Sequence, residues 1–86
     1  MEITSASDML ADGADSAVLN GVEVRKGTVA AWVANVKRLE ALQPDDPDYP
    51  ELVALLRRDA AKVKAVGVFD VLVPRSPRVA EIIDGL

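Results

Sequence analysis

Apolar residues recur at spacings of three and four along two long stretches of the chain, which places them on one face of an α-helix. The first stretch covers residues 28–43, with Thr28 in the position of an N-cap. Pro44 ends it, because the residue before a proline avoids the helical region of backbone space. The predicted helix has an apolar stripe made of Val29, Trp32, Val33, Val36, Leu39 and Leu42.

The second stretch follows a loop that is rich in proline and aspartate. Asp48 and Glu51 have the spacing of a capping box, and Pro50 is tolerated in a first helical turn. Gly67 is a natural residue to end this helix, since glycine readily adopts the left-handed conformation. Because the connection is short, the two helices should pack antiparallel. The buried face of the second helix is predicted to consist of Leu52, Leu55, Leu56, Ala60, Val63 and Val66.

Before the first helix, apolar and polar residues alternate, which is typical of a half-buried strand. Asn20-Gly21 lies between apolar residues, and both positions suit the positive φ angles of a type I′ turn. We therefore predict a β-hairpin over residues 16–25. A rival interpretation makes residues 15–19 a helical turn that Gly21 stops.

Two short elements are predicted after the second helix. Residues 68–73 are rich in β-branched side chains and lie between a glycine and a proline, so they predict a strand that could pair with residues 22–24. Ser76 and Pro77 supply an N-cap and a first position for a closing helix. The apolar face of that helix is predicted to contain Val79, Ile82, Ile83 and Leu86.

These elements predict an α+β fold that is mainly helical, with an antiparallel helix pair, a short C-terminal helix and a minimal β-hairpin or sheet. The acidic residues 1–15 are expected to form a flexible segment, and residues 16–86 a single small globular domain. The predicted core contains Val29, Trp32, Val33, Val36, Leu39, Leu42, Leu52, Leu55, Leu56, Val63, Val66, Phe69 and Ile82. The apolar residues left over include Val53, Leu72, Ile83 and Leu86.

Cysteine and histidine are both absent from the 86 residues. Disulfides and thiolate metal sites are thereby excluded, and the commonest general base is missing. A chain this small also has little room for a walled substrate pocket. We therefore expect a protein that is not an enzyme, with no catalytic residue, cofactor, metal or small-molecule substrate. The acidic residues 45–48 are interpreted as a turn and a helix cap, not as a cation site.

Charge and hydropathy indicate the compartment of the protein and whether it binds membranes or nucleic acids. The chain has no apolar run near the ~20 residues that span a bilayer. Glu2 stands where a secretory signal would carry basic residues. We expect a cytoplasmic protein that does not bind membranes. The net charge of −4 opposes non-specific binding to nucleic acids.

Two segments resemble a group of short bacterial proteins of unknown function. Residues 20–31 read NGVEVRKGTVAA, and in that group a turn glycine and a short strand likewise lead into a Gly-Thr-Val helix start. Residues 66–72, which read VGVFDVL, are similar to the Gly-aliphatic-Phe segment that follows the group's second helix. The resemblance implies a shared fold and assigns no activity to any residue.

A second resemblance concerns the four residues Gly13, Ala14, Asp15 and Ser16. They are similar to the element of acyl carrier proteins in which a serine carries a phosphopantetheine arm. A carrier domain has a complete helix before that serine and a recognition helix after it. Here only fifteen residues precede Ser16 and an Asn-Gly turn follows it, so an acyl-carrier function is the weakest of the alternatives.

Protein interaction is the function that the remaining observations favour. The chain has more aliphatic residues than a domain of this length buries, and small domains gain stability by self-association. We therefore expect a protein partner or a second copy. The alternative is a nucleic-acid-associated regulator that uses two basic clusters, against which the acidic overall charge argues. One cluster consists of Arg25, Lys26, Lys37 and Arg38, and the other of Arg57, Arg58, Lys62 and Lys64. The predicted interaction surface consists of Arg25, Lys26, Lys37, Arg38, Arg57, Arg58, Leu72 and Ile83.

Overall fold

A computed structural model describes residues 15–86, of which 61% are helical, and confirms an α+β fold that is mainly helical. The predicted flexible segment therefore lies outside the described residues except for Asp15. The elements in chain order are β1 (Ser16–Leu19), β2 (Val22–Arg25), α1 (Thr28–Ala41), α2 (Tyr49–Val66), α3 (Val68–Val71) and α4 (Pro77–Asp84).

The predicted β-hairpin is confirmed, and the rival helical turn is wrong. β1 and β2 pair antiparallel, with Leu19 opposite Val22 across the turn. Asn20 and Gly21 have φ angles of 49° and 80°, as a type I′ turn requires. The Asn20 side-chain amide also donates a 2.8 Å hydrogen bond to the carbonyl of Ala65, so the hairpin tip is tied to the last turn of α2.

α1 begins one residue after Gly27, which has a left-handed backbone (φ 86°). The prediction that Thr28 caps this helix is wrong. Its hydroxyl instead donates a 2.7 Å bond back to the carbonyl of Arg25 and braces the turn that leads into the helix. The helix ends at Ala41, two residues before the predicted end, because Leu42 is already extended.

α2 begins at Tyr49 with Pro50 in its first turn, as predicted. The predicted capping box is wrong, since Asp48 makes no side-chain capping bond. Its amide instead donates a 2.8 Å bond to Oδ1 of Asp46, which closes an Asx-type turn. At the other end Gly67 adopts the left-handed conformation (φ 99°) and ends the helix, which confirms that prediction.

The strand predicted for residues 68–73 is wrong. The chain forms a single helical turn, α3, and becomes extended at Leu72. Its amides follow helical bonding, since Asp70 N–H donates to the Gly67 carbonyl and Leu72 N–H to the Val68 carbonyl. The β-branched composition is overridden because the reversal at Gly67 brings Val68 and Phe69 against the helical core. The sheet within the described residues therefore has two strands.

α4 lies at the position predicted for the closing helix, with Pro77 at its first position. Ser76 occupies the N-cap position, but its side chain makes no capping bond. Arg78 ties α4 to the end of α1, because its guanidinium donates to the carbonyls of Leu39 (3.3 Å) and Leu42 (2.9 Å). The Leu39 carbonyl also accepts the Leu42 N–H at 3.1 Å, so Arg78 adds a second donor at the end of α1. These two bonds from Arg78 connect α4 to the end of α1.

The core lies between α1 and α2 and is closed by α4. Trp32, Leu52 and Ile82 are buried. The fully enclosed core residues are Leu39, Leu56, Ala60, Val63 and Val79. The predicted core is wrong at Val33, which is 44% exposed. Other predicted core residues are only half-buried, namely Val29, Val36, Leu42, Leu55, Val66 and Phe69.

Candidate interaction groove

An apolar groove of about 270 Å³ lies between α1, α3, α4 and residues 72–75, which follow α3. α1 supplies one side with its exposed apolar stripe, and the segment after α3 supplies the opposite wall. The residues that line the groove are Trp32, Val33, Val36, Lys37, Glu40, Val68, Phe69, Leu72, Val73, Pro74, Arg75, Val79 and Ile83.

Trp32 is held rigidly at the base of the groove. Its indole N–H donates a buried 3.0 Å hydrogen bond to the carbonyl of Leu56, which ties α1 to α2. Its ring meets Phe69 edge-to-face, with the centroids 5.4 Å apart and the planes at 62°. This contact is favourable for aromatic quadrupoles and fixes α3 over the tryptophan. A fixed base of this kind needs no ordering when a ligand binds.

The wall formed by Leu72 and Val73 is strongly exposed, at 63% and 88%. Val33, on the opposite side, is 44% exposed. These two adjacent aliphatic side chains extend the apolar surface of the groove into solvent. Val71 is 79% exposed but lies outside the groove.

One ion pair holds this wall against α1. The Arg75 guanidinium donates to both carboxylate oxygens of Glu40, at 2.9 Å and 3.4 Å. The hydrogen bond from Arg75 lowers the pKa of Glu40, and the same bond raises the pKa of Arg75. Lys37, which also lines the groove, forms no ion pair with any residue in 15–86. The groove therefore contains one neutralised pair and one cation without a partner among those residues.

Of the predicted surface residues, the structure brings Lys37, Leu72 and Ile83 together in this groove. Arg38 lies at a second, more polar depression with Asn35 and Glu51.

The other predicted basic residues are not part of the groove. Arg25 and Lys26 are exposed where the hairpin meets α1. Arg57 and Arg58 are exposed on α2, and Arg58 pairs with Asp59 at 3.2 Å. This hydrogen bond lowers the pKa of Asp59, and Lys62 adds a weaker contact at 3.5 Å. The predicted surface is therefore divided among several regions.

Most residues of the groove are not predicted from the sequence as an interaction surface, among them Val33, Val73 and Arg75. The sequence predicts Trp32 as a core residue, with an interface anchor as the alternative. Val33 shares the apolar stripe of α1 and is therefore expected in the core, while Val73 falls within the predicted strand. The sequence feature that could have indicated this surface is the run of aliphatic residues just before Pro74. The predicted core does not need all of these aliphatic residues.

The structure also bears on the other candidate sites. Within residues 15–86 there is no cluster of acidic side chains that could hold a metal ion. Ser16, the residue of the carrier-like element, lies in β1 and donates a 3.2 Å bond to Glu23. No helix in the described part of the chain is long and apolar enough to cross a membrane.

Comparison with known proteins adds no relative to this picture. No protein-family model, curated protein sequence or solved structure matches the chain.

Proposed function

We propose that this protein is a non-enzymatic interaction module of the cytoplasm that binds an apolar segment of a protein chain in the groove beside Trp32. The observation that carries the proposal is the exposure of Leu72 and Val73 next to a preformed apolar groove. Covering such side chains removes apolar surface from water, which is the main driving force of protein association.

The groove also defines the chemistry of the partner. Its lining is mostly aliphatic and aromatic, so it suits aliphatic side chains. Lys37 adds a positive charge at the same place, so a carboxylate beside the apolar residues of the partner would complement it. The partner segment is therefore apolar with an adjacent acidic residue.

Nucleic-acid binding is the weaker alternative because the cations are spread over several surfaces. Arg58 and Arg75 are each bonded to a carboxylate, which reduces their value for phosphate contacts. Purified protein that retains nucleic acid, and loses it in the double variant Arg57→Glu with Arg58→Glu, would replace the proposed function with this alternative.

Selection of peptides from a random phage-displayed library tests the proposal. The protein is immobilised sparsely, so that its copies do not reach one another. We expect enriched peptides that combine aliphatic residues with an acidic residue. Binding should fall at least tenfold, or about 1.4 kcal/mol, in Val33→Asp, which places a charge in the groove.

The matched control is Val18→Asp, since Val18 is 71% exposed on the hairpin and does not line the groove. Binding to this variant should equal binding to the unmodified protein. Circular dichroism checks that each variant folds, and Val73→Asp replaces Val33→Asp if the latter does not. An absence of enrichment, or peptides that bind both variants equally, would refute the proposal.

A further inference from the structure

We infer that the occupant of the groove is a second copy of this chain, with Leu72 and Val73 of each copy lying in the groove of the other. This inference rests on the proposed function and names its partner. The wall and the groove lie side by side on one face of the molecule. A two-fold axis through that face therefore brings each wall to the opposite groove, which is the self-complementary arrangement of a symmetric dimer.

The wall has the chemistry that the groove accepts. Leu72 and Val73 are both aliphatic and mostly exposed, and the lining opposite them includes Val33 and Val36. The segment after α3 is extended at Leu72, and the exposure of Leu72 and Val73 leaves both side chains accessible to a second molecule. No change of fold is needed before the two copies meet, which keeps the entropic cost of association low.

The exposed apolar area at the groove suits a small interface. A standard interface buries roughly 800 Å² per partner, and the exposed parts of Val33, Leu72 and Val73 amount to on the order of 300 Å². Ile83, which is half-buried in the lining, and the edges of the groove add to this area. The fit is that of a modest homodimer with an apolar centre, expected at micromolar concentration.

The charges on this face are compatible with the same arrangement. Asp70 precedes the wall by two residues, is exposed, and forms no ion pair with the described residues. In the exchanged dimer the acidic residue that accompanies the wall approaches the groove of the other copy, where Lys37 lies. Two copies therefore supply both the apolar segment and the adjacent carboxylate that the groove favours.

Sedimentation velocity of the full chain from about 1 to about 500 µM tests the inference. The unmodified protein should change from monomer to dimer across this range. Val73→Asp should raise the dissociation constant by roughly 100-fold or more, because each of the two copies loses a buried valine and gains a buried charge.

Val71→Asp is the control, since Val71 is a neighbour of similar exposure that does not line the groove. This variant should dimerise like the unmodified protein. Both substituted positions are at least 79% exposed, so the folded monomer should tolerate either change. A chain that stays monomeric throughout, or a dimer that Val73→Asp leaves intact, overturns the inference.

The two proposals fail separately. A monomeric chain that still selects peptides through Val33 would retain the proposed function and lose only the second copy as partner. A dimer that Val33→Asp and Val73→Asp both leave intact would form through another surface and would overturn the inference. If the selected peptides compete with the dimer, the same groove serves both, as we expect.

Discussion

Leu56 gives the sharpest test of the core beneath the groove. It is fully buried in α2, and its carbonyl accepts the bond from the Trp32 indole. Leu56→Ala leaves a cavity that the packed helices close only in part, so the unfolding free energy should fall by about 3–5 kcal/mol. A domain of this length is stable by only ~4–13 kcal/mol, so the loss is a large share of the total.

The matched control is Leu72→Ala, which removes the same atoms from a side chain that is 63% exposed. Little burial is lost and no cavity forms, so this change should cost less than about 1 kcal/mol. Both variants are measured by urea titration at low micromolar concentration, with helix content followed by circular dichroism. Equal losses in the two variants would refute the assignment of Leu56 to the core and of Leu72 to a surface that the monomer does not need.

Two further predictions concern the segment that builds the groove wall. Gly67→Ala should destabilise the fold by about 1–2 kcal/mol, because φ at Gly67 is 99°. The control Gly85→Ala, at φ −79°, should be nearly neutral in the same urea titration. Similar losses of stability in the two variants would contradict the left-handed conformation of Gly67. Because the pKa of Glu40 is lowered in the folded protein, its pair with Arg75 stabilises the fold at pH values above the ordinary carboxyl pKa of 4.5. This stabilisation is lost as the pH falls through the lower pKa of the folded state. The stability difference between the unmodified protein and Glu40→Gln should therefore hold at neutral pH and shrink towards zero in acid, and a difference that does not change with pH would exclude the pair as its source.

The helices and the hairpin could be predicted because their signals are local. The spacing of apolar residues in α1 and α2 reports which face is covered, and Asn20-Gly21 requires positive φ angles that few other residues adopt. The helix starts were harder to predict. Thr28 and Asp48 both have side chains that suit an N-cap. The Thr28 hydroxyl instead donates to the Arg25 carbonyl, and the Asp48 amide joins an Asx-type turn with Asp46. Several local arrangements satisfy the same polar groups, so the sequence alone does not select among them.

Residues 68–73 show the limit of local signals more clearly. Their β-branched side chains favour a strand, yet a strand needs a neighbour with free backbone groups. The reversal at Gly67 and the contact between Phe69 and Trp32 place this segment over α1, where the available surface is a helix face. A single helical turn pairs the amides of Asp70 and Leu72 there without a partner strand. The tertiary contact therefore outweighs the local preference.

The same tertiary contact explains why the groove could not be located from the sequence. An excess of aliphatic residues is a property of composition, so the sequence alone reveals it at Leu72 and Ile83. Where that excess gathers depends on the path of the chain after Gly67. Had residues 68–73 paired with β2 as predicted, they would have extended the two-stranded sheet and would not have supplied a wall beside α1. Because the segment instead makes one helical turn and then extends past α1, Leu72 and Val73 both border the same groove. The backbone course set at Gly67 thus turns a surplus of apolar residues into a single surface that a partner can cover.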